Sequence, residues 1–146
     1  MRVRIFVDTS VLVAASVSRH PHFARARPVL ERVARREETG FAAAHSLGEG
    51  YSAFTTIPLD PRIQPVEAER LLEHNLLTHF HLIEAEAAHY RAAIRRCAAL
   101  TVVGGRFYDA LLVECARKAE PDRIYTFHVR HFQELARDLE GRICAP

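Results

Sequence analysis

Long apolar runs are missing from this chain, and so is any pattern of paired cysteines. Its first apolar stretch, Ile5, Phe6 and Val7, is cut short by Asp8, far below the roughly 20 apolar residues a membrane-spanning helix needs. The arginines just ahead of it, Arg2 and Arg4, therefore do not open a signal peptide, and no targeting or membrane-spanning segment is expected. Cys97, Cys115 and Cys144 are odd in number, widely spaced and without a C-x-x-C pair. Neither a disulfide framework nor a cysteine zinc site is expected, and a reducing, cytoplasmic location fits. Lysine is almost absent, Lys118 being the only one among 20 basic side chains. Nearly all the positive charge is thus guanidinium, which grips phosphate oxygens in pairs, although the base composition of a genome produces the same bias. With 20 basic against 18 acidic residues the formal charge is +2, which by itself points to no nucleic-acid partner. Internal repeats and low-complexity segments are also absent.

What the chain does have is 49% hydrophobic residues in a length of 146. That suffices for one sizeable core and is too short for two ordinary domains, so a single domain over residues 1–146 is expected. Strand and helix patterns alternate. Residues 3–7 read as a buried strand, 10–16 as the start of a helix, and 23–38 as an amphipathic helix closed by Gly40. Residues 41–44 read as a second strand and 46–55 as a helix with Ser46 as N-cap and Glu49 completing a capping box. Pro58, Pro61 and Pro65 mark a loop over 57–65. Further helices are expected at 66–77, 84–100, 107–119 and 131–139, and strands at 79–83, 123–127 and 142–144. This order predicts an α/β domain with a mainly parallel sheet.

Ligands of such sheets gather beyond the carboxyl ends of the strands, and Asp8 follows the first strand while Thr126 closes the fourth. Asp109, in the first turn of an apolar helix, and Glu49 can be brought to the same crevice. Carboxylates that converge repel one another unless a divalent cation neutralises them, and all-oxygen ligands favour Mg²⁺ or Mn²⁺. Such a cation acidifies water and stabilises charge on phosphate, which suits phosphodiester hydrolysis. Ser10 and Thr126 are candidates to orient that water or a phosphate oxygen. Each acid also has a plain structural reading: Asp8 as a helix cap, Glu49 as half of a capping box, Asp109 as an anion favoured at a helix N-terminus.

Four segments carry a resemblance: Val7-Asp8-Thr9-Ser10-Val11-Leu12, His45-Ser46-Leu47-Gly48-Glu49-Gly50-Tyr51, Tyr108-Asp109-Ala110-Leu111-Leu112-Val113, and Tyr125-Thr126-Phe127-His128-Val129-Arg130-His131-Phe132. In order and spacing they resemble the successive signatures of the PIN domain, and more narrowly the toxins of VapBC toxin–antitoxin pairs. The resemblance implies a three-layer α/β/α sandwich and a metal-dependent endoribonuclease with Mg²⁺ or Mn²⁺ in an acidic pocket. It also implies a homodimer and a VapB-like antitoxin whose C-terminal segment blocks the site. Asp8, Glu49 and Asp109 match the three core acids of the family, and Ser10 and Thr126 match its hydroxyl positions. His128 departs from the pattern, standing where the family often has Asp or Asn. Imidazole ligates Mn²⁺ but is a poor match for Mg²⁺, which leaves one metal or two open. Glu114 is no substitute, because five residues along a helix turn it by about 140° from Asp109. A PIN-like module that has lost catalysis and only binds RNA or a protein is the alternative, as is a housekeeping nuclease without an antitoxin.

Arg106 and Arg130 flank the third and fourth signatures and are candidates to hold the RNA backbone, against a reading as ordinary solvated arginines. The stretch with Arg25, Arg27, Arg32, Arg35 and Arg36 is diluted by Glu31, Glu37 and Glu38 and reads first as a solvated helix face. The pairs His20 with His22 and His79 with His81 have H-x-H spacing. Without nearby cysteines they read as solvated or hydrogen-bonded rather than as zinc ligands. Apolar surface on the 66–77 helix and around 85–93 is either core or a face for a dimer or an antitoxin.

Overall fold

Ile5, Phe6 and Val7 alternate sides along a strand that is buried on both faces, and the computed structural model, which describes residues 1–146, places that strand at the centre of a five-stranded sheet. Beside β1 (Arg4–Val7) lies β2 (Thr39–Ala43), with β3 (Phe80–Ile83) outside it; on the other side lies β4 (Arg123–Tyr125), with β5 (Ile143–Cys144) at the edge. All four pairings are parallel. The chain steps outward from β1 through β2 to β3, then crosses back to begin again at β4. That reversal puts the topological switch point between β1 and β4, where crevices open in sheets of this kind.

One face of the sheet, carrying Ile5, Val7 and Ala42, is covered by α1 (Thr9–Ser16), α2 (Phe23–Ala34), α3 (His45–Thr56) and α4 (Pro65–Leu72). The opposite face, carrying Phe6, Phe41 and Ile124, is covered by α5 (Ala87–Leu100), α6 (Phe107–Ala119) and α7 (Val129–Leu135). The result is the expected α/β/α sandwich. No helix is long and apolar enough to cross a membrane.

Several boundaries depart from the sequence reading for identifiable reasons. Helix α2 stops at Ala34, and the chain turns through Arg36 at φ 61°. Gly40 does not close that helix. It lies within β2, where a Cβ would come 2.7 Å from both the Phe80 ring and Val33, so glycine is required by packing between α2 and β3. Ser46 is not an N-cap: α3 starts one residue earlier, and the buried Ser46 hydroxyl lies 2.8 Å from Thr9 Oγ1. Pro65 opens α4 at its first turn, a position that needs no N–H, and the helix ends in a π-helical turn, Glu73–Leu77. A capping box does occur, at α5, where Glu86 and His89 bond reciprocally to one another's backbone. Helix α7 begins at Val129 rather than 131 and gives way to a 3₁₀ segment, Arg137–Arg142.

Candidate active site

Asp8 leaves the buried strand β1 in extended conformation and caps α1, its Oδ1 accepting from the Val11 N–H at 3.1 Å. The cap does not exhaust the carboxylate. Oδ1 also accepts from Ser10 Oγ at 2.6 Å and Oδ2 from Thr126 Oγ1 at 2.6 Å. Asp8 is only 2% exposed. Burial drives its pKa above the ordinary carboxylate value, while the Ser10, Thr126 and Val11 hydrogen bonds and nearby His128 pull the other way.

The two hydroxyls also receive bonds. Ser10 Oγ accepts from the Phe127 N–H at 3.2 Å and Thr126 Oγ1 from the His128 N–H at 2.9 Å. A hydroxyl has one proton, and in both cases it goes to Asp8. Ser10 and Thr126 therefore act here as supports for the carboxylate and the segment after β4, rather than as free donors for water or phosphate.

Glu49 reaches the same cavity from α3. Its Oε1 accepts from Thr9 Oγ1 at 3.0 Å and stands 3.5 Å from His45 Nε2. Asp109, on the first turn of α6, places Oδ2 3.2 Å from His131 Nε2. The His131 ring is contacted in turn by the Arg106 guanidinium. Burial raises the Asp109 pKa and the charge of Glu49 adds to the rise, with His128 and Arg106 opposing it. Burial, and then Arg106, hold His131 below the usual imidazole value, which favours a neutral ring between the arginine and the acid.

Asp8, Glu49, Asp109, Ser10 and His128 line one open cavity of about 550 Å³ at the switch point, and fully buried Thr126 sits directly behind Asp8. Arg106 does not line the cavity itself; it contacts the His131 ring, which stands beside Asp109. Arg130 is farther from the site: its side chain is 94% exposed, pairs with Glu134 at 3.5 Å, and belongs to a separate depression with Gln133 and Arg137. Glu114 turns away and pairs with Arg117 at 3.6 Å.

Thr9, Ser46, His45, His131 and Phe127 bear on the site and were not among the candidates from sequence, while His20 and His22 were weighed there only as a zinc pair. Among the five that were missed, His45 carried a readable signal, the i,i+4 spacing to Glu49. His20 and His22 line the cavity, and His22 stacks on the Phe127 ring at 4.6 Å between centroids. The second H-x-H pair is elsewhere, with the His81 ring against Phe41 at 5.2 Å. Of the arginines on and just after α2, Arg27 and Arg35 share Glu31 and Arg32 pairs with Glu38.

No three His, Cys, Asp or Glu side chains stand close enough to form a ready-made metal cage. The donor set suits a cation that keeps much of its water, as Mg²⁺ does when held by one or two carboxylates. Glu49 Oε2 and Asp109 Oδ1 make no hydrogen bond or ion pair within the protein, which leaves an oxygen of each acid for a cation and its waters.

A parallel α/β/α sandwich with carboxylates gathered at its switch point is the PIN-type arrangement, and the chain belongs to the PIN-domain family, whose model matches residues 5–138. Among curated proteins it is similar to Ribonuclease VapC27 of Mycobacterium tuberculosis, 32% identical over 116 residues, which is 80% of this chain and 79% of that one. It is also similar to Ribonuclease VapC40 of the same species, 33% identical over 112 residues, 77% of this chain and 78% of that one. Among solved structures the fold resembles Mycobacterium tuberculosis VapC20, described as a Sarcin-Ricin loop cleaving toxin, at TM-score 0.67 and 20% identity over 87% of this chain and 92% of that one. A second match is VapBC2 from Rickettsia felis, crystallised bound to a DNA fragment from their promoter, at TM-score 0.63 and 18% identity over 90% and 92%. A third is PAE2754 from Pyrobaculum aerophilum, at 0.63 and 20% over 97% and 83%.

Proposed function

We propose that this protein is a metal-dependent endoribonuclease and the toxin of a type II toxin–antitoxin pair. The observation that carries the reading is the gathering of Asp8, Glu49 and Asp109 around one cavity at the switch point of a PIN sheet; the relatives named as ribonucleases support RNA as the substrate. Asp8 and Asp109 are assigned to hold Mg²⁺ or Mn²⁺, with Glu49 assisting or orienting water. When bound, such a cation offsets charge on a phosphodiester under attack and acidifies the attacking water. Ser10 and Thr126 fix the Asp8 carboxylate, Thr9 fixes Glu49, and His131 fixes Asp109. Such preorganisation keeps the carboxylates from swinging into alternative rotamers as substrate arrives.

A VapB-like antitoxin is the proposed partner, a homodimer the proposed assembly and the cytoplasm the proposed location. Exposed Tyr90 and Ile94 on α5, and Val66 and Leu77 around α4, are apolar surface available to such contacts. The test is cleavage of a pool of structured and single-stranded RNAs with Mg²⁺, with Mn²⁺ and with EDTA, by the protein and by an Asp8→Asn variant. Metal-dependent cutting that disappears in the variant supports the reading. Identical behaviour of two folded proteins under every condition sinks it and moves a non-catalytic binding role to the front.

A further inference from the structure

The cavity is larger than its acids require. A cation with six or seven waters occupies roughly 200 Å³ at about 30 Å³ per water, against about 550 Å³ available. The remaining space is bounded in part by His20, His22 and Phe127, a wall of rings that no metal assignment uses. His22 is exposed, and its ring lies nearly parallel to Phe127, at an interplanar angle of 18°. His20 packs beside it, with centroids 5.8 Å apart.

One hydrogen bond decides what His20 offers. The backbone N–H of His22 donates to His20 Nδ1 at 3.0 Å. An N–H can only donate, so Nδ1 is unprotonated and the ring proton sits on Nε2. Burial, and then the neighbouring His22, lower the His20 pKa, in keeping with a neutral ring. With its proton on Nε2 and no protein partner there, His20 presents a neutral donor and no lone pair for a metal. That argues against zinc on this H-x-H pair and for an oxygen acceptor. Both histidines stand in the turn before α2, whose N-terminus adds partial positive charge.

We infer that this wall is the nucleotide subsite of the cavity: a base of single-stranded RNA stacks on the His22 ring, backed by Phe127, while His20 Nε2–H donates to an oxygen of the adjoining phosphodiester. The inference rests on the ribonuclease reading above. Stacking between a base and an aromatic face is sequence-tolerant and strong enough to matter, so this wall would engage RNA with little base preference. Neutral donors also contact the phosphate without introducing positive charge that would compete with a cation for the acids.

The test places His20 and His22 substitutions in an Asp8→Asn background and follows binding of a fluorescein-labelled mixed-sequence oligoribonucleotide by anisotropy in Mg²⁺, with cleavage by the unsubstituted protein run alongside. His22→Ala should weaken binding by roughly tenfold and His22→Phe should restore it, and the His22→Ala loss should vanish on an abasic ribose-phosphate oligomer. His20→Ala should weaken binding several-fold on both oligomers, and His20→Gln, whose amide can place an N–H near the same point, should recover much of it. Binding unchanged by His22→Ala, or weakened equally on the abasic oligomer, overturns the subsite and leaves the nuclease reading standing if the unsubstituted protein cuts RNA. A parent that neither binds nor cuts RNA overturns both.

Discussion

Thr126 Oγ1 and Asp8 Oδ2 lie 2.6 Å apart although 118 residues separate them in sequence, and this bond spans the ends of the adjacent strands β4 and β1. Because the same hydroxyl accepts from the His128 N–H, Thr126 joins the central carboxylate to the chain leaving β4. Thr126→Val should leave a carboxylate oxygen and a backbone donor short of partners and cost about 1–3 kcal/mol, whereas Thr126→Ser should stay near the parent. Urea denaturation of the two variants checks this, and a Val variant as stable as the parent would mean that the bond contributes little.

Gly40→Ala should destabilise the protein by roughly 1–3 kcal/mol, since the new methyl meets both Phe80 and Val33 at 2.7 Å. A shift of the denaturation midpoint at unchanged slope is the expected signature. No shift would show that α2 and β3 can part slightly at no cost.

Asp138 provides the pH dependence. Its hydrogen bonds to Arg117 hold its pKa down at about 2 against the opposing effect of burial, with that guanidinium's charge adding to the depression. A folded pKa below the unfolded value stabilises the protein above about pH 4, and that contribution is lost as pH falls toward 2. The Asp138 side chain is 56% exposed, so solvent screening keeps the effect below about 1 kcal/mol. Asp138→Asn should lower stability at pH 7 by that small amount and flatten the loss between pH 4 and pH 2. Parallel acid-unfolding curves would remove the pair from the stability balance.

His128→Asp should preserve or improve Mg²⁺-dependent cleavage, because it restores an oxygen ligand beside Asp8 and Asp109. The measurement is the ratio of Mg²⁺ to Mn²⁺ rates in the two proteins. A marked loss would show that the imidazole has a role of its own.

Arg106→Ala should raise KM for RNA several-fold, through loss of a guanidinium available to the RNA backbone near Asp109. An unchanged KM would confine Arg106 to holding the His131 ring that stands beside Asp109.

The architecture was largely readable because burial on both faces leaves a plain mark: Ile5-Phe6-Val7 ended by an acid can hardly be anything but a central strand running into a crevice. Asp8, Glu49 and Asp109 could be grouped from that topology and from the family's signatures. Gly40 and Ser46 were misread for a shared reason. Each matched a local rule, a helix stop and a capping box, while its actual reason was tertiary: close approach of Phe80 for the glycine, and the Thr9 hydroxyl for the serine. The direction in which Thr126 sends its proton is equally non-local, being set by a buried carboxylate 118 residues away, and Ser10 is fixed as a donor to Asp8 by the distant Phe127 N–H it accepts from. His20-Pro21-His22 was visible as a spacing, but nothing in the spacing says that a backbone N–H occupies one ring nitrogen.

The sheet order has a bearing on how such a chain is made. β1 lies at the centre, yet one of its neighbours, β4, begins only at Arg123. Until that segment is available, Asp8 has neither the Thr126 hydroxyl to accept a hydrogen bond from nor the ring wall around Phe127 beside it. A polypeptide emerging at about 5–20 residues per second therefore carries its acidic residues for several seconds before they can be enclosed. The pocket cannot be completed before residue 126 has been made, however much of the preceding chain has folded.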